Sequence, residues 1–178
     1  MAAGRGLRMM PLTDSVAKSM IRIHGETLIS KSIAQIQNII PNIAITIGHM
    51  GAELAKHVVE QNVSMIFNTS GKGNAWWIFN TPMRFLDEPV LVLTCDNIVK
   101  LDIEFIYSNY LSLGEPACMI VPVKPVAGIE GDFITGYDRK VVTLDRNAPA
   151  EAYCSGIQVI NPLKINGKMA STENFYEL

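Results

Sequence analysis

The chain has 178 residues, 48% hydrophobic and 18% charged, the size of one globular domain with enough apolar content to bury a real core. Fifteen basic residues against seventeen acidic ones leave a net charge of −2, which excludes a generic nucleic-acid or anionic-membrane surface and makes any basic site local. Cys95, Cys118 and Cys154 are odd in number and far apart, so neither a zinc site nor a disulfide framework is expected, and no apolar run nears the ~20 residues that span a bilayer; the expected location is the cytosol.

The chain opens on "MAAGRGLRMMPLTDSVAKSM", a loop in which Gly4 and Gly6 permit close backbone approach while Arg5, Arg8 and Lys18 supply positive charge. Such a loop suits a polyphosphate; the same composition also fits a frayed terminus. From about Leu28 to Ile39, Ile29, Ile33, Ile36 and Ile40 recur at three- and four-residue spacing, which predicts an amphipathic helix ended near Pro41. "NIAITIGH" reads as a strand, "GAELAKHVVEQN" as a helix and "VSMIFN" as a second strand, a βαβ alternation. His57 falls on a solvated face of that helix, and His24, His49 and His57 receive no role, having no motif partner.

After the loop "TSGKGN" a helix is predicted from Ala75 towards Phe85. The apolar run "PVLVLTCDN" then reads as a central strand covered on both faces, ending on Asp96. In open α/β sheets ligands collect beyond the carboxyl ends of strands, so an acid there faces the cleft. "IEFIYSNYLSL" reads as a helix, "ACMIVPV" as a strand, "FITGY" and "KVVTL" as a hairpin about Asp138-Arg139, and "AYCSGIQVI" as a returning strand. The second half thus predicts a mixed sheet within one continuous domain spanning residues 1–178.

Two phosphate-binding templates fail. Neither the opening loop nor "SGKGN" supplies the glycine and Lys-Ser/Thr spacing of a P-loop, and Met9 stands where a dinucleotide fingerprint needs its third glycine. A third pattern fits. "AAGRGLRMMPLTDSVAKSMIRIHGETLI" resembles the signature of the sugar-phosphate nucleotidyltransferases, Ala-Gly-x-Gly-Thr-Arg-Leu-x-Pro-Leu-Thr, then Pro-Lys, then Gly-x-Pro-Leu-Ile. "GNAWWIF" is similar to the family's Gly-Thr-Ala-Gly stretch, "VLVLTCDN" to its strand ending in Gly-Asp and "YCSGIQVINP" to its Ala-Gly-Ile-Tyr strand, in order along nearly the whole chain.

The resemblance implies a three-layer α/β/α Rossmann-like (GT-A-like) fold with a mixed central sheet. It also implies transfer of a nucleoside monophosphate from a nucleoside triphosphate to a sugar-1-phosphate or similar phosphorylated acceptor, with release of pyrophosphate, for nucleotide-sugar and surface polysaccharide synthesis. Ala3, Gly4 and Gly6 then belong to the loop around the triphosphate, with Arg8 and Lys18 on its phosphates, and Arg5 stands at a variable, solvated position. Asp96 matches the family acid that holds Mg²⁺, the implied cofactor. Gly73 and Asn74 lie where the family's backbone approaches base or ribose, Asn68 is a further base contact or an ordinary polar turn, and Glu130, Gly131, Ser155 and Gly156 fall in stretches that line the sugar pocket. Trp76 and Trp77 are read as core, since adjacent helical residues point about 100° apart and cannot both stack on a base.

Three departures stand beside these matches. Ala17 replaces the proline before the family lysine, Leu7 a small hydroxyl residue, and "RNAP" the usual Glu-Lys-Pro. Against the family, Met1 also stands where the first strand ends, and the second metal-binding Asp belongs to a segment beyond the position of Leu178; the expected domain is therefore trimmed at both ends. Two functions stay open: an active enzyme, or an inactive nucleotide-binding or scaffolding relic of the fold. Neither nucleic acid nor membrane is an expected partner, and base, acceptor and assembly into a homo-oligomer remain open.

Overall fold

The computed structural model describes residues 1–96, 99–126 and 131–178. The opening loop passes through 3-10 turns at Leu7–Met9 and Lys18–Met20 into a two-stranded antiparallel ribbon, β1 (Arg22–Ile23) and β2 (Glu26–Thr27). Helix α1 (Leu28–Ile36) starts where the Thr27 hydroxyl accepts from the Ser30 N–H, an N-cap, and it buries Leu28, Ile29 and Ile33. The helix stops short of the expected Ile39. The Ile39 and Ile40 amides both donate to the Ile36 carbonyl, a tightened last turn forced by Pro41, which disfavours helical backbone at Ile40.

The βαβ expectation holds: β3 (Ala44–Ile47) and β4 (Met65–Asn68) pair in parallel around helix α2 (Gly51–Val59). His57 departs from its solvated reading. Its Nε2 lies 3.0 Å from the Thr27 and Ser30 hydroxyls and 2.9 Å from Gln61 Nε2, tying α2 to the start of α1. Helix α3 (Trp76–Asn80) is shorter than the Ala75-to-Phe85 helix expected. Thr81 is extended, its hydroxyl accepts from the Met83 N–H, and Pro82, which has no N–H for a helical ladder, opens a separate 3-10 turn to Phe85.

The second half follows as β5 (Val90–Leu93), α4 (Ile103–Ser112), β6 (Cys118–Val123), β7 (Phe133–Tyr137), β8 (Lys140–Asp145), β9 (Tyr153–Ile160) and α5 (Pro162–Asn166). Strand β9 returns antiparallel to both β5 and β6, giving the mixed sheet predicted, while the β7–β8 hairpin joins it at Phe133 and Tyr153. Asp138 and Arg139 at the hairpin turn have φ of 48° and 60°, as a type I′ turn requires.

The sheet therefore consists of two blocks, β3–β4 and β5–β9–β6, and residues 1–3 join them. The Met1 amine donates to the Leu93 carbonyl, the Cys95 N–H donates to the Met1 carbonyl at 3.1 Å, and the Ala2 N–H donates to the Thr46 carbonyl at 3.1 Å. Backbone groups alternate between the two edges of a strand. With Thr94 N–H directed at Gly156 of β9, Leu93 and Cys95 face the other edge, where Met1 lies. Behind Met1, between the two blocks, a cleft of about 840 Å³ is lined by Ile43, Ala44, Ile45, Leu91, Val92 and Leu93.

Among the described residues three apolar clusters pack the helices against the sheet, and two of them touch both blocks, that of α1 and α2 through Cys95 and that of α3 and α5 through Phe67. Ile29, Ile33, Ile45, Leu54 and Val58 join α1 and α2 to β3; Ile106, Tyr110, Met119 and Val159 join α4 to β6 and β9; Trp77, Ile78, Ile160, Ile165 and Phe175 join α3, α5 and the C-terminal turn. The result is the three-layer, Rossmann-like α/β fold expected. All three cysteines are free, and no described helix is long and apolar enough to cross a membrane.

Candidate functional site

The seam between the blocks opens, at the carboxyl ends of β3, β4 and β5, into a second cleft of about 530 Å³, where open α/β sheets collect ligands. Each element brings a different chemistry. Residues 1–5 bring backbone and Arg5, the loop after β3 brings His49, residues 69–74 bring hydroxyls, glycines and Lys72, and β5 delivers Thr94, Cys95 and Asp96.

Lys18 and Asp96, 78 residues apart, meet here: Lys18 Nζ donates to Asp96 Oδ2 in an ion pair whose side chains are 21% and 41% exposed. Lys18 is set between buried Ala17 and Ser19, and Gly6 packs on its stem. A Cβ at Gly6 would come within 2.9 Å of Thr13 Cγ2 and 3.0 Å of Lys18 Cβ, and its φ of +68° is one that only glycine takes readily. The Thr13 hydroxyl locks this turn by donating to the Gly6 carbonyl at 3.0 Å. Gly6 thus shapes the lysine's seat. Gly4 differs: it lines the cleft with open space over its Cα.

Burial alone would raise the Asp96 carboxyl, but the hydrogen bond and charge of Lys18 and a hydrogen bond from Thr94 outweigh it and hold Asp96 below the usual carboxylate range. Asp96 is therefore an anion at neutral pH, opposed by one cation that a stronger anion can draw away. The neighbouring Cys95 is pushed up by burial, so its thiol stays protonated and is no nucleophile.

The remaining sequence-derived residues divide. Ala3, Gly4, Gly73 and Asn74 line the cleft with Lys18 and Asp96. Arg8 sits exposed on the Leu7–Met9 turn outside the cleft lining, whereas Arg5, expected to be solvated away from it, is part of that lining. Asn68 takes the polar-turn reading: its Oδ1 accepts from the Ser70 N–H at 3.0 Å, an Asx turn that ends β4. Gly73 and Asn74 are partly engaged already, Gly73 N–H with Glu173 Oε2 and Asn74 Oδ1 with the Phe175 N–H.

Of the residues expected at a sugar pocket, Gly131, Ser155 and Gly156 are not in the cleft lining. Gly131 packs against the Tyr153 ring, the Ser155 hydroxyl donates to the Val121 carbonyl at 2.5 Å, and Gly156 adopts φ of 71° within β9. That irregular stretch of β9 nevertheless adjoins the Asp96 strand end, because the Gly156 carbonyl accepts from Thr94 N–H at 3.2 Å. Glu130 lies outside the described residues. Sequence reasoning missed His49 and Lys72 as cleft residues. His49 is placed by its N–H on the Ala3 carbonyl at 3.2 Å, a tertiary contact with no local sequence signal, and Lys72 stands 5.5 Å from the Trp76 ring.

Among the described residues no group of three or more His, Cys, Asp or Glu is arranged to hold a metal ion. Magnesium needs less than that from a protein. It is commonly held through one or two carboxylates with water and substrate phosphates completing its octahedron, and ionised Asp96 on the cleft wall meets that minimum.

The model of the nucleotidyl transferase family matches residues 1–128. Among curated proteins, the bifunctional protein GlmU of Methanococcus maripaludis strain C7 is 26% identical over 150 residues, which are 81% of this chain and 34% of that protein. The chain thus spans about a third of the length of the curated relatives it matches. The fold recurs among solved structures. The inositol-1-phosphate CTP transferase of T. maritima superposes with a TM-score of 0.76 at 16% identity, over 98% of this chain and 76% of that one. HddC of Yersinia pseudotuberculosis, complexed with GMP-PN, superposes with a TM-score of 0.75 at 18% identity, over 98% and 80%.

Proposed function

The chain belongs to the nucleotidyl transferase family, and on that premise we propose that its cleft binds a nucleoside triphosphate with Mg²⁺ and passes the nucleoside monophosphate to a sugar-1-phosphate or similar phosphorylated acceptor, releasing pyrophosphate. The observation that carries this reading is the meeting of Lys18 and Asp96 beside the open Gly4 backbone at the carboxyl end of the sheet. Arg5 and Lys72 add local positive charge to an otherwise acidic chain, as an electrostatic seat for polyphosphate demands.

In this reading Lys18 leaves Asp96 for the phosphates when the nucleotide enters. Asp96 is then the residue that would hold Mg²⁺, whose contribution when bound is to offset charge on the α-phosphate. Lys18 neutralises developing charge on the departing pyrophosphate, and the Gly4 backbone lets the triphosphate lie close to the chain. The acceptor's phosphate oxygen attacks in line, so the chain's work is positioning and charge stabilisation. Location in the cytoplasm and a place in surface polysaccharide assembly are part of the same proposal.

One observation favours a second reading, nucleotide binding without turnover: Asp96 is the only carboxylate among the described residues lining the cleft, and Lys18 already engages it. One experiment separates the two. Melting curves with ATP, GTP, CTP, UTP and dTTP plus Mg²⁺ should show stabilisation by at least one of them. Pyrophosphate release is then followed with a panel of sugar-1-phosphates. A shift with release supports the enzyme, a shift without release supports the binder, and no shift at millimolar nucleotide sinks both.

A further inference from the structure

The C-terminal turn is threaded onto the rear of the candidate cleft wall. Residues 73–75 and 173–175 are stitched together by three hydrogen bonds: Gly73 N–H to Glu173 Oε2 at 2.5 Å, Ala75 N–H to the Glu173 carbonyl at 3.0 Å, and Phe175 N–H to Asn74 Oδ1 at 3.0 Å. The Ala75 N–H is a donor at the entrance to α3 that the helix itself cannot satisfy, so Glu173 completes that helix start.

Gly73 is a glycine for the sake of this contact. A Cβ there would come within 2.0 Å of the Glu173 carbonyl oxygen, a distance no side chain tolerates. The strap is itself anchored. Phe175 is buried in the α3–α5 cluster, Thr172 is buried, and the Thr172 hydroxyl donates to the Glu177 carboxylate. Glu173 is a different case: it is exposed, outside the apolar cluster and outside the cleft lining, so packing does not explain it.

We propose that Glu173 is a positioning residue for nucleotide binding: its carboxylate on the Gly73 amide and its carbonyl on the Ala75 amide hold the 70–74 wall of the cleft in place opposite Lys18 and Asp96. This rests on the reading of that cleft as the nucleotide site. With the carboxylate gone, the Gly73 amide is released and the loop that carries Lys72 and Asn74 relaxes away from its partners. The contact spans 100 residues of sequence, so segments of the chain that are distant in sequence share the shaping of one wall.

The test compares Glu173→Ala with Glu173→Gln, which keeps a carbonyl acceptor without the charge. Amide exchange at Gly73 should accelerate at least about tenfold in the alanine variant and return towards the wild-type rate in the glutamine variant. Binding of the Mg-nucleotide that most stabilises the wild type should weaken about tenfold in Glu173→Ala and be largely restored in Glu173→Gln. In pyrophosphate release the loss should fall on KM for nucleotide and leave kcat near its wild-type value. Unchanged Gly73 exchange, unchanged nucleotide affinity, or a kcat loss at constant KM each overturns the assignment. So does a glutamine variant as impaired as the alanine one. If no nucleotide stabilises the wild type, the reading of the cleft fails and the nucleotide role of Glu173 fails with it. The exchange experiment still reports whether the carboxylate clamps Gly73.

Discussion

The two blocks of the sheet are held in different ways. Strand β9 ladders along both edges, to β5 and to β6, and its residues Ile157, Val159 and Ile160 are buried against helices from two clusters. Among the described residues no strand of the β3–β4 pair ladders onto that block; residues 1–3 bridge the two by backbone hydrogen bonds and Cys95 and Phe67 by packing, with an apolar cleft behind Met1. The candidate site lies across the weaker join. Asp96 comes from the end of β5, His49 and residues 69–74 from the segments that follow β3 and β4, and Lys18 from the opening loop. A site assembled across a seam tolerates little movement of the seam, because positioning is most of what phosphoryl-transfer chemistry asks of a protein.

The largest effect expected is at the laddered side of the site. Asp96→Asn keeps the shape and removes the charge, so metal-dependent turnover should fall at least about a hundredfold. The fold should persist, since the pair it breaks is partly exposed and such pairs contribute little. A circular-dichroism melt within a few degrees of wild type alongside lost pyrophosphate release is the outcome that fits; retained release removes Asp96 from the reaction.

The seam itself can be strengthened. Fusing five alternating valines and isoleucines to Met1 continues the ladder into the cleft between β3 and β5, where Ala44 and Leu91 lie two residues back from the bonded Thr46 and Leu93 and so face it. It also replaces a buried amine, whose pKa burial lowers, by an ordinary amide. The melting temperature should rise by about 5 °C or more relative to a Gly/Ser extension of equal length. An equal melt for both extensions would show that the cleft does not accept a strand.

A smaller loss is expected from Gly6→Ala. The positive φ and the approach to Thr13 and Lys18 should together cost about 1–3 kcal/mol. Chemical denaturation measures this directly, and nucleotide affinity should fall with it, because the Lys18 stem is displaced. A neutral substitution would mean that the turn at Gly6 is pliable.

The smallest effect is one of pH, again in the laddered block. Burial pushes the Cys118 thiol from 9.0 up to about 11, so the folded state holds this proton more tightly than the unfolded chain. Stability from this group is complete below pH 9 and is lost as pH rises from 9 towards 11. Cys118→Ser should flatten the alkaline limb of a stability-against-pH curve, and an unchanged limb assigns it to other groups.

Much of this molecule is local and was legible as such. Alternation of apolar runs with helical periodicity located β3, α2, β4, β5, α4 and β6, and the hairpin at Asp138-Arg139, because strand and helix periods and turn residues act over a few positions. Motif order carried the family and named Lys18 and Asp96, while proline chemistry explains both places where a predicted helix ran too long, before Pro41 and at Pro82. What the sequence determined by itself was thus the elements, their order and the chemical types placed at strand ends. Tertiary structure alone decided which of them meet: that Lys18 pairs with Asp96, that Arg5 and not Arg8 faces the cleft, and that Gly73 makes room for Glu173. Each of those contacts joins segments far apart in the chain or depends on the path of a loop, and neither periodicity nor spacing encodes the direction in which a loop turns back on the core.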